Sequence, residues 1–272
     1  MAAAGKKSSR EALQGRVGAI VAERSDSGSA VAALVELNSE TDFVSRNPLF
    51  QQTLQQTCAA AAAVDSTSSL LTIDDATKSA IIDVPSLLRS NAAVAKGLAE
   101  LTVSCGENIV FRRGRQLEAA VPSQVVQTYV HHNGTAASAV VLQPSKGSDA
   151  SSEVGDQDAD AIKSLGSRIA MHITAMRPAY LDHASVPAAV LDKERELILA
   201  EASQGPPKAE KAMQAMVSGR LRKFVSECAL EEQAFVLDDQ PKQRPIKKVL
   251  EQYGMRIKAF ARLEVGEVQQ SS

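Results

Sequence analysis

Cysteine is scarce and scattered in this sequence. Cys58, Cys105 and Cys228 are the three in 272 residues. They form no CxxC pair and no even set, which argues against a disulfide framework, suits a reducing compartment and leaves them as buried small hydrophobes. An excess of charge of one sign is lacking as well. With 30 basic against 32 acidic residues the formal net charge is −2 and the pI is near 6.1, without the clustered Lys and Arg that a direct nucleic-acid ligand requires. Long apolar runs are missing too: the uncharged stretch Asn47 to Val64 is rich in Gln and Thr, whereas a membrane crossing needs roughly 20 apolar residues.

The usual signatures of catalysis are also absent. His131, His132, His172 and His183 show neither the HxxxH nor the HEXXH spacing that puts two imidazoles on one helix face. Glu36, Glu40 and Asp42 lack the alternating Asp and Asn with central Gly of a calcium loop and are expected to be a solvated strand end. There is no GxSxG elbow, no Gly-rich dinucleotide loop and no cysteine paired locally with a histidine. Gly5-Lys6-Lys7-Ser8 has neither the preceding strand nor the first glycine of a phosphate-binding loop. No cofactor, no metal site and no covalent chemistry are therefore expected, and the chain does not read as an enzyme.

What is present is a repeat. Apolar residues make up 44% of the chain, enough at this length for a sizeable core. Val17 to Glu23 and Ala30 to Leu37, joined by the turn-forming RSDSGS, predict a β-hairpin, and Val125 to His131 with Ala136 to Leu142 predict another. Leu49 to Val64 and Ile162 to Met176 follow as helices, the second with Ile162, Leu165, Ile169 and Ile173 three and four apart. Each half closes with a helix feeding a basic, alternating strand: Ala92 to Leu101 into NIVFRRGRQLE, and Ile246 to Tyr253 into MRIKAFARLEV.

Two hairpin, helix, helix, strand units predict an α+β fold of two related subdomains, each a small antiparallel sheet packed on helices. From Ala188 to Ala229 two helical runs meet at Gly205-Pro206-Pro207; Met213, Met216, Val217, Leu221 and Phe224 face Leu191, Leu197 and Ile198, which predicts a protruding antiparallel helical hairpin. The expected divisions are a flexible tail 1–14, a first core subdomain 15–121, the first part of a second 122–187 with a mobile linker 144–160, the hairpin 188–229, the rest of the second subdomain 230–267, and a tail 268–272.

One stretch stands out: residues 36–47, ELNSETDFVSRN, place the large apolar Phe43 beside Asp42 where a strand gives way to a helix. Such junctions lie at the surface. Phe43 is either a staple packed on Leu49 or Phe50, with Asp42 or Asn47 capping the helix, or it is held out toward something else.

LVELNSETDFVSRN resembles the signature of the elongation factor Ts family, guanine-nucleotide exchange factors of the translation factor elongation factor Tu, in which a strand ends in E-V-N-x-x-T-D-F-V. CGENIVFRR, TYVHHNG, RIAMHITAMRPAYL, MVSGRLRKF and FARLEVGE resemble later blocks of the family in the family's order, so the resemblance runs from about Gly15 to Glu267. It implies two related α+β subdomains with a protruding helical hairpin. It also implies that Asp42 and Phe43 are pushed into the nucleotide-binding domain of elongation factor Tu near its magnesium site, loosening GDP. Thr41, Val44, Arg46 and His131 complete the implied partner-binding set, and the implied partner is elongation factor Tu, GDP-bound and nucleotide-free.

Several positions depart from the family's pattern. Ser39 stands where Cys is frequent, Pro48 where an acid is common, and His131-His132-Asn133 lengthens the usual His-Gly turn. No segment like the family's T-G-x-G-M-M-D-C-K-K-A-L is present, so docking through it is expected to be weaker, and no longer C-terminal module is expected beyond Glu267. The small, basic, acid-free MAAAGKKSSR suits the mitochondrial matrix, with plastid stroma or bacterial cytoplasm as alternatives. Two other classes compete: a scaffold that binds a translational GTPase without exchange activity, and a small enzyme assembled from His131, Asp42 and a carboxylate.

Overall fold

A computed structural model describes residues 11–24, 28–145, 156–203 and 209–267. In chain order its first half contains β1 (Gln14–Glu23), β2 (Ala30–Ser39), α1 (Asp42–Ser45), α2 (Pro48–Ala62), β3 (Leu71–Ile73), β4 (Ala80–Ile82), α3 (Val84–Ser90), α4 (Ala92–Cys105) and β5 (Val110–Ala119). The second half contains β6 (Val125–His131), β7 (Ala136–Pro144), α5 (Asp156–Met176), α6 (Ala188–Ser203), α7 (Glu210–Cys228), α8 (Ile246–Glu251) and β8 (Met255–Glu264). The strands form two antiparallel sheets, ordered β1-β2-β5-β4-β3 and β6-β7-β8. Three strands of the first sheet repeat the whole of the second, a hairpin followed by a distant third strand.

Successive side chains of a strand point to opposite faces, and in β2 both faces are buried. Val31, Ala33, Val35 and Leu37 meet Phe50, Leu54 and Cys58 of α2 and Val94, Leu98 and Leu101 of α4. The alternate residues Ala32 and Leu34, with Val17, Leu117 and Ala119, pack on Ala137, Ala139 and Val141 of β7 and Ala259, Ala261 and Leu263 of β8. The two sheets therefore stack directly on one another. The far face of the second sheet carries Ile162, Leu165, Ile169 and Ile173 of α5 and Ile246, Val249 and Leu250 of α8. The layers run helix, sheet, sheet, helix, and alanines at the inner interface fill it with small side chains.

Helix α2 has Asn47 accepting from the Leu49 N–H at its start, and at its end Gln116 donates to the carbonyls of Ala61 and Val64. The loop between β3 and β4 crosses to the other half: the Phe260 N–H of β8 donates to Thr77 O at 3.0 Å and the Leu181 N–H to Ala76 O at 2.8 Å.

Helices α6 and α7 pair as a side arm. Ile198 and Val217 are buried between them, Met213, Met216, Leu221 and Phe224 are half-buried, and Arg220 bridges to Glu201 at 2.6 Å. Leu197, expected in the apolar stripe, is 52% exposed, because Ile198 and Leu191 occupy the facing positions and the next residue points away. At the base, Val186, Val225 and Ala229 cluster with Tyr180, Leu191 and Phe224, and the Cys228 carbonyl accepts from the Ala179 and Tyr180 N–H groups.

The stretch 144–160, expected to be a mobile linker, overlaps regular structure at both ends. Pro144 still belongs to β7 and α5 already begins at Asp156; residues 146–155 lie outside the described residues. The Gly-Pro-Pro break and the centre of the RSDSGS turn also lie outside them, as do the tails 1–10 and 268–272. β1 starts at Gln14, inside the stretch expected to be a tail, where it pairs with Ser39.

Candidate partner-binding turn

The chain leaves β2 at Ser39, whose hydroxyl donates to Thr41 O at 2.8 Å and starts a turn. The four residues of α1 follow, and a single turn of helix is unstable by itself. It is fastened from outside. The Thr41 N–H and hydroxyl donate to the two carboxylate oxygens of Glu107, at 3.0 and 2.6 Å, and at the other end the Arg16 Nε donates to Ser45 O at 2.7 Å. Val44 packs on the helix-side core and Ser45 is buried.

Phe43 is 79% exposed, the most exposed large hydrophobic side chain among the described residues. It is not the staple of α2: Phe50 fills the core instead and Asn47 alone supplies the cap. Asp42 pairs with Arg46 at 2.7 Å, both substantially exposed, and such a surface pair is worth about 0–1 kcal/mol.

The three nearby carboxylates do not converge. Glu36 is fully buried, which corrects its expected place at a solvated strand end. It bonds the Arg113 guanidinium at 2.6 Å and accepts from the Gly266 N–H at 2.9 Å. It lies on the face of β2 that meets the second sheet, so the stacking of sheets, invisible in the local sequence, removes it from water. Glu40 accepts from the Asn108 N–H at 2.8 Å. Among the described residues no group of three or more His, Cys, Asp or Glu could hold a metal ion.

His131 is exposed at the end of β6, with its Nδ1 at 3.0 Å from the Tyr129 hydroxyl. The extra residue in this turn is accommodated by left-handed backbone at His132 and Asn133, φ 36° and 58°. Gly134 follows with φ +83°, and a Cβ there would stand 2.8 Å from Val17 O and 3.3 Å from the Arg16 Cβ. Arg16 thus touches both parts of the sequence-predicted set, α1 through Ser45 and the histidine turn through Gly134. Burial lowers the Arg16 pKa, the like charge of Arg46 adds to this, and Asp42 opposes it. Asp42 is engaged by Arg46 and His131 by Tyr129, and no hydrogen bond joins the two.

Arg16, Ser45 and Glu107 escape the sequence reading. Glu107 stands inside the CGENIVFRR block, which signals it only as part of a motif; Arg16 and Ser45 carry no local signal. Cys58 behaves as expected, its thiol pushed up to about 12 by burial, while Cys105 and Cys228 are only partly buried.

Fold and turn together define an α+β protein of two stacked antiparallel sheets with a paired-helix arm, holding one phenyl ring out on a fastened turn. Residues 40–267 match the model of the family described as Elongation factor TS. Elongation factor Ts of Gluconobacter oxydans (strain 621H) is 36% identical over 266 residues, covering 97% of this chain and 78% of the relative. That of Rhodospirillum centenum (strain ATCC 51521 / SW) is 36% identical over 277 residues, covering 98% and 80%. Elongation factor Ts of Sinorhizobium medicae (strain WSM419) is 33% identical over 275 residues, covering 98% and 80%. The chain belongs to the elongation factor Ts family. No described helix is long and apolar enough to cross a membrane.

Proposed function

We propose that the chain is a guanine-nucleotide exchange factor that promotes GDP release from elongation factor Tu during translation elongation. The carrying observation is Phe43, 79% exposed on a turn anchored at both ends within the family's signature segment. Burying that ring in a partner is worth about 1.5–3 kcal/mol. Used to open the GDP site, this binding energy weakens the nucleotide, and by linkage bound GDP weakens the exchange factor equally. The partner is therefore engaged both GDP-bound and nucleotide-free, and no bond need be made or broken.

Asp42 and Phe43 are the inserted pair in this proposal, with Arg46 and His131 as exposed flanks. Thr41 and Val44 belong to the seat of the turn, since one is tied to Glu107 and the other packs inward. The compartment follows the partner: a bacterial cytoplasm, as for the bacterial relatives, or an organellar matrix, the mitochondrial one being favoured by the basic first residues.

The test is release of fluorescent GDP from purified elongation factor Tu. Acceleration that saturates with added chain is expected. Confirmed binding with no acceleration would make the protein a scaffold.

A further inference from the structure

Helix α1 presents Phe43, yet its own backbone supplies little to hold it. The Arg46 N–H reaches Phe43 O at 3.2 Å and the Asn47 N–H reaches Val44 O at 3.0 Å, about one helical turn, where nucleation is unfavourable. The fixing groups come from elsewhere in the chain. Glu107 takes both donors of Thr41 on its two oxygens. Its own position is set by the end of α4, where Gly106 adopts φ +76° and its N–H closes on Thr102 O at 3.1 Å. The next residue completes the bond in the opposite direction, the Asn108 N–H donating to Glu40. Residues 40–41 and 107–108 therefore grip each other reciprocally, across 66 and 68 positions of sequence.

We propose that Glu107 is a positioning residue for Phe43: its carboxylate locks Thr41 so that the phenyl ring is held in one orientation before the partner arrives. The inference rests on Phe43 being the inserted side chain. Its physical content is preorganisation, because a turn ordered during folding does not have to be ordered again on binding. A carboxylate suits the task because each of its two oxygens can accept from a different donor of one residue. Both bonds are charge-assisted and stronger than neutral ones.

Two measurements on the full chain test this. In the free protein, Glu107→Ala is expected to speed amide hydrogen exchange at Arg46 and Asn47 by about tenfold or more, the scale of losing hydrogen bonds to an ionised group, with β2 amides unchanged. In GDP release at saturating concentration, Glu107→Ala is expected to lower the maximal rate, and Glu107→Ala combined with Phe43→Ala to be no slower than Phe43→Ala alone. Glu107→Gln is expected to retain most of the rate, since its amide can accept from the Thr41 N–H and donate to the hydroxyl. Unchanged protection of Arg46 and Asn47 in Glu107→Ala overturns the proposal even where Phe43 proves essential. Losses that add in the double variant overturn it too, since Glu107 would then act independently of the ring. Full exchange in Phe43→Ala defeats the functional reading of the turn itself, and is recognised by amides that respond to Glu107→Ala while release does not respond to either variant.

Discussion

Phe43 makes the sharpest residue-scale case because its exposure separates folding from function. Truncating a buried Phe costs about 3–5 kcal/mol, whereas this ring is 79% in solvent. Phe43→Ala is therefore expected to leave the thermal midpoint nearly unchanged while GDP release slows steeply. Asp42→Ala is expected to slow release with a different dependence on magnesium, because a carboxylate near a metal site acts through charge and a phenyl ring through displacement. Titrating magnesium against both variants checks this.

A second residue ties stability to pH. His172 is fully buried in α5, bonded to Gln233 Oε1 at 2.9 Å, and burial lowers its pKa from the ordinary 6.5. The unfolded chain then takes up the proton first. The contribution is fully present above about pH 6.5 and is lost as pH falls below it. Denaturant titrations from pH 7.5 to 5 should show that loss for the native chain and a shallower one for His172→Gln.

At the scale of elements, the side arm can be cut only where its contacts are internal. The sequence sets the bounds of the hairpin at 188–229, but Val225 and Ala229 are buried at its base and the Cys228 carbonyl holds Ala179 and Tyr180. Replacing residues 192–221 by a Gly-Ser linker is expected to leave cooperative melting, while extending the cut to 229 is expected to destroy it. Calorimetry of the two deletions decides the boundary.

The long elements were readable because their periodicity is strong: β6 lies where the sequence places it, and α2 and β8 begin within a residue of their expected starts. β3, β4, α3 and α1 were not, being three to seven residues long, too short for alternation or helical period to register. The turn at Phe43 was legible as a motif; the side chains that fasten it were not, because Arg16 and Glu107 reach it from β1 and from the α4–β5 loop.

For the whole molecule, the missing information was that the two sheets share a core. Strands β2 and β7 are apolar at nearly every position, which is what a strand buried on both faces requires, yet each local stretch is equally compatible with separate sheets. Glu36 was misplaced for that reason. The joint is narrow, built on Ala32, Ala137, Ala139, Ala259 and Ala261. Ala139→Leu should overfill it and cost about 1–3 kcal/mol, read as a lower denaturant midpoint.

The bond from Phe260 to Thr77 has one more consequence. β8 is the last strand of its sheet, and an uncovered strand edge is a template on which other chains can add. The loop carried by the short β3 and β4 lies against that edge and occupies its Phe260 donor. The turn between those two small strands thus covers part of an edge that would otherwise be open to another strand, while Ile82 of β4 also joins the helix-side core.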